Sequence, residues 1–190
     1  MLPYIKFNIE QNTPEWHEWR AKGLGASSAA TILGENPWRT RAEFLEELLH
    51  PKPFEINEAM ELGHDLEPIA RKYYQRKRGL EVNPICLQSV NWPWLLASLD
   101  GMTEDGSNAV EIKSGVAAYE ETAKEMKVPS YYRAQVQQQL AVTGLKQMDF
   151  WAFWPGRSSI GLTVKRNDAY IERIVNETKQ FWDELQEARK

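Results

Sequence analysis

The first forty residues carry apolar side chains at helical spacing, and each run follows a residue that favours a helix N-terminus. Thr13 precedes Pro14, and a threonine cap with proline at the first helical position is a typical helix start. Ser27 or Ser28 is expected to cap a second short helix, and Thr40 a third. This part of the chain is therefore predicted to be helical.

A longer helical pattern covers residues 57–79, and two features stand out in it. Pro68 lacks a backbone N–H and its ring clashes with the preceding turn, so we expect the helix to bend or break near Glu67. Residues 71–78 form the most basic stretch of the chain. That stretch is either an exposed helix end favoured by the helix dipole or part of a basic surface.

After residue 80 the spacing of apolar residues changes to that of strands, with later helices between them. Strands are predicted at 82–90, 94–100, 109–113, 148–154 and 159–165, and helices at 130–142 and 168–190. Gly and Asp in the gap at 101–108 indicate an antiparallel hairpin. The order of elements predicts a mixed α/β (α+β) fold, with a central mixed sheet flanked by helices and an N-terminal helical addition.

Composition mainly excludes classes of protein. The 190 residues, 42% hydrophobic and 26% charged, fit a single folded domain, 1–190, and exclude intrinsic disorder. The net charge of −4 disfavours a protein that coats nucleic acid, though not a basic groove on an acidic body. Cys86 is the only cysteine, so no intrachain disulfide is expected. Without a signal peptide or membrane span in the pattern, we expect a soluble cytoplasmic protein.

The candidate chemistry lies in the predicted hairpin. Glu111 and Lys113 share one face of a strand because side chains alternate, and Asp100 ends the preceding strand. The hairpin would bring the two carboxylates close together, where they repel each other unless a cation lies between them. An all-oxygen site of this kind suits Mg²⁺ or Mn²⁺. Lys113 would then hold or polarise a water molecule for attack on phosphorus.

The same residues also allow an ordinary interpretation. A Glu-x-Lys pair on a surface hairpin is common and has little energetic weight, and spacing alone does not decide between the two hypotheses. Glu67, just before Pro68, is either on a solvated helix face or turned inward. Gln135 lies in a helix of mixed polarity, where a glutamine is more often directed to solvent.

Together these motifs resemble the PD-(D/E)xK nuclease superfamily, in the branch of phage lambda exonuclease and the viral alkaline exonucleases. The resemblance rests on six blocks in the family's order, between residues 16 and 138, about two thirds of the chain: Trp16-His17-Glu18-Trp19-Arg20, Gly25-Ala26-Ser27, Glu67, Ser98-Leu99-Asp100, Glu111-Ile112-Lys113 and Gln135. Leu99 departs from the pattern, since it stands where the superfamily's name has proline. Residues 35–57 match nothing in it.

The resemblance implies a restriction-endonuclease-like core and a role for each matched residue. Asp100, Glu111 and the Ile112 carbonyl would bind the metal, Glu67 would complete its site, and Lys113 would position the attacking water. Arg20, Ser27 and Ser98 would hold the 5′-phosphate of DNA, with Gln135 beside the active site. An arginine fork suits phosphate because it donates two parallel hydrogen bonds.

The resemblance further implies a Mg²⁺-dependent 5′→3′ exonuclease that degrades one strand of duplex DNA from its ends to mononucleotides and leaves a 3′ overhang for recombination. Such enzymes form homotrimeric rings around DNA and often work with a single-strand annealing protein. A phage or prophage gene expressed in a bacterial host is the expected source. The alternatives are an endonuclease with the same core, a catalytically inactive DNA-end-binding protein, and an unrelated α/β domain.

Overall fold

A computed structural model describes residues 2–51 and 58–190 of the chain. Its strands are β1 Tyr4–Phe7, β2 Leu24–Gly25, β3 Asn83–Ser89, β4 Leu95–Met102, β5 Ala109–Lys113, β6 Gln147–Ala152 and β7 Ile160–Lys165. Its helices are α1 Pro14–Arg20, α2 Ala29–Ile32, α3 Arg41–Leu49, α4 Glu58–Arg78, α5 Val116–Glu125, α6 Ser130–Thr143 and α7 Asp168–Ala188, with a 3₁₀ turn at Ala26–Ser28.

One sheet joins all seven strands, in the order β1-β3-β4-β5-β6-β7, with β2 paired to β4. The β5–β6 and β2–β4 pairs are parallel and the others are antiparallel. Helices cover the sheet, which confirms the predicted mixed α/β class. The N-terminal part is not purely helical, however, because β1 and β2 both join the sheet.

The core has one layer on each side of the central strands. Residues of α4, among them Leu66 and Tyr74, pack with Val110 and Ile112 of β5. Residues of α6, among them Val136 and Leu140, pack with the opposite face of the sheet. Strand β5 is therefore covered on both sides, which buries Glu111 and leaves Lys113 at the end of the strand partly exposed.

The pairing of β3 with β4 shifts at one point. Asn83 pairs with Met102 and Ile85 with Leu99, so two steps along β3 match three along β4. The extra residue falls at Asp100 and Gly101, and such bulges re-aim side chains beside active sites. Gly101 allows this close packing, since a Cβ there would lie 2.7 Å from a Val82 methyl carbon.

Most predicted elements occur in the structure. Thr13 and Thr40 cap α1 and α3, and Thr40 forms a reciprocal capping box with Glu43. Ser28 is the residue before α2, but its side chain makes no capping hydrogen bond. The β4–β5 hairpin is antiparallel, as predicted. Three elements were not predicted: strands β1 and β2, and helix α5, which is separate from α6.

The prediction that Pro68 interrupts its helix is wrong as far as a break is concerned. Helix α4 continues through Pro68 to Arg78, and the predicted start at Asn57 lies outside the described residues. The buried side chains of Leu66, Ala70 and Tyr74 lie on both sides of the proline. Their packing against β5 outweighs the ~3 kcal/mol that proline costs in a helix interior.

In the described ranges, none of the helices has the length and hydropathy needed to cross a membrane.

Candidate active site

A cavity of about 170 Å³ brings together the side chains that the sequence singled out. It opens between the β4–β5 hairpin, α1, α4 and α6. The predicted residues among those that line it are Arg20, Ser27, Glu67, Ser98, Asp100, Glu111, Lys113 and Gln135. One end of the cavity is acidic and the other contains the arginine.

Glu111 is the most enclosed group at the acidic end, with 1% of its surface exposed. The Gln135 amide donates to Oε1 and the Gln139 amide to Oε2, each at 2.5 Å. Lys113 Nζ lies 2.6 Å from Oε1. The interpretation of Glu111 and Lys113 as an ordinary surface pair is therefore wrong, because the carboxylate is buried and has a donor on each oxygen.

Gln135 and Gln139 lie one turn apart on the same face of α6. The expectation that Gln135 faces solvent is wrong, since its side chain is buried against Glu111. Sequence reasoning missed Gln139 altogether. The four-residue interval from Gln135 was the available signal, because residues so spaced on a helix reach the same neighbour.

Asp100 is buried at the bulge, and its Oδ2 accepts a hydrogen bond of 2.6 Å from the Ile112 N–H. Burial raises the pKa of this carboxyl well above its usual range, and the nearby carboxylates of Glu111 and Glu67 raise it further. Lys113 and the Ile112 N–H oppose this rise. The acidic end therefore carries more negative charge than its own cations neutralise.

Glu67 turns inward from α4 and forms an ion pair with Arg71, one turn later on the helix. Arg71 Nε also donates to the main-chain carbonyl of Asp100 at 2.5 Å. Burial raises the pKa of Glu67, Arg71 opposes this shift, and Glu111 adds to it. Arg71 thus connects α4 to the bulge, with only 15% of its side chain exposed.

Lys113 lies between the carboxylates and the ring of Tyr132, with Nζ 4.6 Å from the ring centroid. Burial lowers its pKa, but Glu111, Tyr132 and Asp100 together outweigh burial and raise it. The side chain is therefore an ammonium held by a carboxylate and an aromatic face.

The donor set fits a hard divalent cation. Mg²⁺ is usually bound by one or two carboxylates, with water and phosphate oxygens as its other ligands, and Asp100 and Glu111 supply two. Within residues 2–51 and 58–190, no three His, Cys, Asp or Glu side chains group so as to hold a metal. Glu67 is paired with Arg71, and its predicted role as a further ligand stays a prediction.

The other end of the cavity is built from α1 and the 3₁₀ turn. Arg20 Nη2 donates to Ser27 Oγ at 2.5 Å, and its guanidinium lies 4.7 Å from the Trp16 ring centroid. Trp16 Nε1 donates to Ser98 Oγ at 2.9 Å. A Cβ at residue 25 would come within 3.0 Å of the Arg20 guanidinium, so Gly25 keeps this space open.

Arg20 has no carboxylate partner among the described ion pairs. Burial lowers its pKa, Cys86 opposes this shift, and the neighbouring charge of Arg39 adds to it. A partly buried guanidinium without an acidic partner, beside a hydroxyl, is suited to bind an anion.

The family model of the YqaJ-like viral recombinase domain matches residues 15–146, a range that contains every predicted site residue. The chain belongs to this family. Its resemblance to the lambda exonuclease branch, stated from the motifs, is thereby confirmed.

Two curated relatives are longer than this member of the YqaJ-like family. The chain is 28% identical over 183 residues to the uncharacterized protein YqaJ of Bacillus subtilis and covers 57% of its length. It is 26% identical over 157 residues to the uncharacterized protein R354 of Acanthamoeba polyphaga mimivirus and covers 29% of that protein.

Solved structures share the fold of this YqaJ-like domain. The alkaline exonuclease LHK-Exo of Laribacter hongkongensis is 30% identical with a TM-score of 0.81, and the match covers 92% of this chain and 93% of that one. LHK-Exo has also been solved in complex with dAMP. A phage-related exonuclease of Haemophilus somnus, 15% identical with a TM-score of 0.67 over 88% of this chain and 96% of that chain, shows the fold alone.

The predicted basic stretch and the tryptophans have mixed roles in this YqaJ-like domain. In residues 71–78, Arg71 pairs with Glu67 and Arg78 with Asp149, which makes those two partly structural. Of the eight tryptophans, Trp16, Trp19 and Trp151 are buried in the core, and Trp38 is exposed. Trp38 lies in the segment for which the sequence offered no role.

Proposed function

We propose that this chain is a Mg²⁺-dependent exonuclease that degrades the 5′-ended strand of duplex DNA to mononucleotides and leaves a 3′ overhang for recombination. The single observation that carries the proposal is the shared cavity. Its acidic end, with Asp100, Glu111 and Lys113, suits phosphodiester hydrolysis, and Arg20 at the other end suits a terminal phosphate. The description of the relative LHK-Exo as an alkaline exonuclease, and its complex with dAMP, support the same reaction.

In the proposed hydrolysis, some residues of the cavity bind the metal and another positions the attacking water. Asp100, Glu111 and the Ile112 carbonyl would hold Mg²⁺, with Glu67 completing the site; Mn²⁺ would serve in its place. A bound cation lowers the pKa of water and neutralises charge on the phosphoryl group. Lys113, held by Glu111, would donate to the water and orient it toward phosphorus. Water oxygen then bonds to phosphorus as the P–O3′ bond breaks, and the 3′ oxygen takes up a proton.

The phosphate end would select DNA ends. Arg20, Ser27 and Ser98 would bind the 5′-phosphate of the first nucleotide, which fixes the distance to the bond that is cut. An internal stretch of DNA has no terminal phosphate to occupy this end, so the arrangement favours an exonuclease over an endonuclease.

Linear duplexes labelled at either strand end test the proposal. With Mg²⁺ we expect each duplex end to release mononucleotides only from the strand whose 5′ terminus lies there. With EDTA, or in the Lys113→Ala variant, we expect none. A covalently closed circle is the matched control and should survive. Cutting of the circle would indicate an endonuclease, and DNA-end binding without metal-dependent release would indicate an inactive binding protein.

We expect three copies in a ring around DNA, a single-strand annealing protein as partner, and action in the cytoplasm of a bacterial host of a phage or prophage. Native mass spectrometry should give three times the 22.0 kDa of one chain. A monomer at micromolar concentration would contradict the ring.

A further inference from the structure

Three aromatic side chains form a continuous line from the candidate active site to the surface. The Tyr132 ring lies over Lys113 Nζ at 4.6 Å. Tyr131 contacts Tyr132 with ring centroids 4.5 Å apart, and Trp38 contacts Tyr131 at 4.6 Å. Both contacts are edge-on, so these rings support one another in defined orientations. Trp38 is the outermost member.

Trp38 is exposed, yet its segment is well anchored. Its exposure of 72% is the highest among the large hydrophobic side chains that the structure describes. The main-chain N–H of Trp38 donates to Asn36 Oδ1 at 2.9 Å, and the Asn36 amide donates to Thr31 Oγ1 at 2.8 Å. Arg39 pairs with Glu47 at 2.9 Å. Trp38 is continuous with the partly exposed rings of Tyr131 and Tyr132, and an exposed apolar patch on an ordered segment is typical of a binding surface.

The position of Trp38 relates it to both ends of the cavity. Tyr131, Gln135 and Gln139 follow one another at four-residue intervals, so the face of α6 that holds Glu111 continues outward to Tyr131. On the other side, the charge of Arg39 acts on Arg20. The segment that carries Trp38 is therefore linked to Lys113 through the rings of Tyr131 and Tyr132. Its Arg39 is also near enough to Arg20 for the two charges to interact.

The chemistry of the cavity explains what Trp38 would bind. The cavity is small and lined by charged and polar groups, which suit a phosphate and a cation but not a base. Its one aromatic wall, Trp16, already has the Arg20 guanidinium over its ring. The base of a nucleotide whose phosphate enters the cavity must lie outside it, where the aromatic line reaches the surface.

We infer that Trp38, supported by Tyr131, is a stacking platform for an unpaired nucleobase of the DNA strand that enters the cavity. This inference rests on the proposed function, because it needs a DNA strand at Lys113. Base-to-aromatic stacking tolerates any base, since every base has a π-face. The platform would hold the strand separated from its complement next to the bond that is cut.

The test uses duplexes with 2-aminopurine at each of the first four positions of the 5′-phosphorylated strand. The full chain carries Lys113→Ala, so that the DNA is bound and not digested. Stacking on the indole quenches this base, and we expect quenching at one position that disappears with Trp38→Ala and returns with Trp38→Phe. Affinity for the duplex should fall about tenfold, as expected for the loss of one stacked base.

Two variants provide controls. Ile5→Ala removes another exposed apolar side chain, 51% exposed on strand β1, and should leave the quenching unchanged. Tyr131→Phe removes the hydroxyl that donates to Glu121 but keeps the ring. This variant should quench 2-aminopurine as the chain with unsubstituted Tyr131 does, because the ring and not the hydroxyl supports Trp38. Circular dichroism of each variant verifies the fold.

The outcomes separate the inference from the proposed function. If the unsubstituted chain digests duplexes and Trp38→Ala does so with unchanged KM and unchanged quenching, the platform is excluded while the nuclease stands. If the native mass changes in Trp38→Ala and the quenching does not, Trp38 is an interface between copies and the inference is wrong. If the unsubstituted chain releases no nucleotides with Mg²⁺, the proposed function itself fails.

Discussion

Glu111, which is buried, and Asp149, which is half-buried, are carboxylates on adjacent strands with opposite surroundings. Asp149 of β6 pairs with Val110 of β5, the residue before Glu111, so the two acids are near neighbours in the sheet. Asp149 accepts from the Tyr74 hydroxyl at 3.1 Å, Arg78 at 3.0 Å and Thr163 at 2.9 Å. In this cluster the Asp149 carboxylate faces the Arg78 guanidinium, one negative charge against one positive charge. Burial raises the pKa of Tyr74, and the neighbouring Asp149 raises it further.

The Glu111 cluster consists of three carboxylates and two cations. The carboxylates are those of Glu111, Asp100 and Glu67, and the cations are Lys113 and Arg71. Burial and the carboxylates of Glu111 and Glu67 raise the pKa of Asp100, and burial and Glu111 raise that of Glu67. This cluster opens onto a cavity, whereas the Asp149 cluster is balanced. A balanced cluster of charges stabilises a fold, while an excess of one sign at a cavity creates affinity for a ligand. Substitutions should therefore affect stability at one cluster and activity at the other.

The largest effect is expected from Asp100→Asn. Loss of a metal ligand should lower turnover by about 10³-fold or more, since stabilisation of transition-state charge is the largest single contribution to catalysis. The free energy of unfolding should stay the same or rise, because the neutral amide removes repulsion and can still accept from Ile112. Nuclease assays and urea denaturation measure both. A folded variant with near-normal turnover would contradict the assignment.

The second-largest effect is expected from Arg20→Ala. On 5′-phosphorylated duplexes its rate should fall about 30-fold or more, because a partly buried charge pair with phosphate is lost. On 5′-hydroxyl duplexes the loss should be much smaller, since no such pair forms. Arg157→Ala, at a half-exposed arginine paired with Glu120, is the matched control. Equal losses of rate on both substrates would show that Arg20 does not bind the 5′-phosphate.

Gln139→Met tests the glutamine that sequence reasoning missed. The substitution keeps the size of the side chain but leaves Glu111 Oε2 without its donor. Loss of a group that orients a metal ligand lowers metal affinity about 10–100-fold, so half-maximal activity should need that much more Mg²⁺. Gln138→Met is the control, because that amide binds the carbonyls of Leu24 and Leu96 instead. It should lower stability and leave the Mg²⁺ requirement unchanged.

Asp149→Asn is the counterpart of Asp100→Asn at the balanced cluster. It should lower the free energy of unfolding by about 1–3 kcal/mol, because hydrogen bonds to a charged group become neutral ones and Arg78 loses its partner. Turnover at a temperature well below the melting point should not change. A large drop in turnover with unchanged stability would show that the two clusters do not differ in the way described.

The smallest effect is a shift in melting temperature. A cation that binds only the folded chain stabilises it by mass action, so Mg²⁺ at millimolar concentration should raise Tm by a few degrees. Asp149→Asn should show the same increment and Asp100→Asn none. An increment that persists in Asp100→Asn would place the bound cation elsewhere.

Local signals in the sequence predicted much of the fold. The caps at Thr13 and Thr40 depend only on neighbours in the chain, and so does the Gly-rich hairpin before β5. Pro68 was misjudged because the packing of α4 on the sheet, which outweighs the local cost of proline, is not visible in the chain. Strand β1 escaped notice because only Tyr4 of its four residues is buried.

The site was predicted where its residues carry charge in a motif, as at Asp100 and Lys113. Gln135 was placed beside the site by the family resemblance and not by its local pattern. Gln139 was missed, because an amide is buried only when distant partners meet it. Gln139 needs Glu111, which is 28 residues away. The bulge at Asp100 likewise depends on how β3 pairs with β4, and no pattern along either strand encodes that shift.

Helix α6 has a consequence for how this chain can vary over evolution. Gln137 binds the Lys165 carbonyl and the Asn167 N–H, while Gln138 joins β2 to β4 and Gln139 holds Glu111. A single-residue insertion would rotate everything beyond it by about 100° and detach these neighbours together. We therefore expect natural length variation to avoid residues 131–143 and to accumulate in the loops, such as the one after β6.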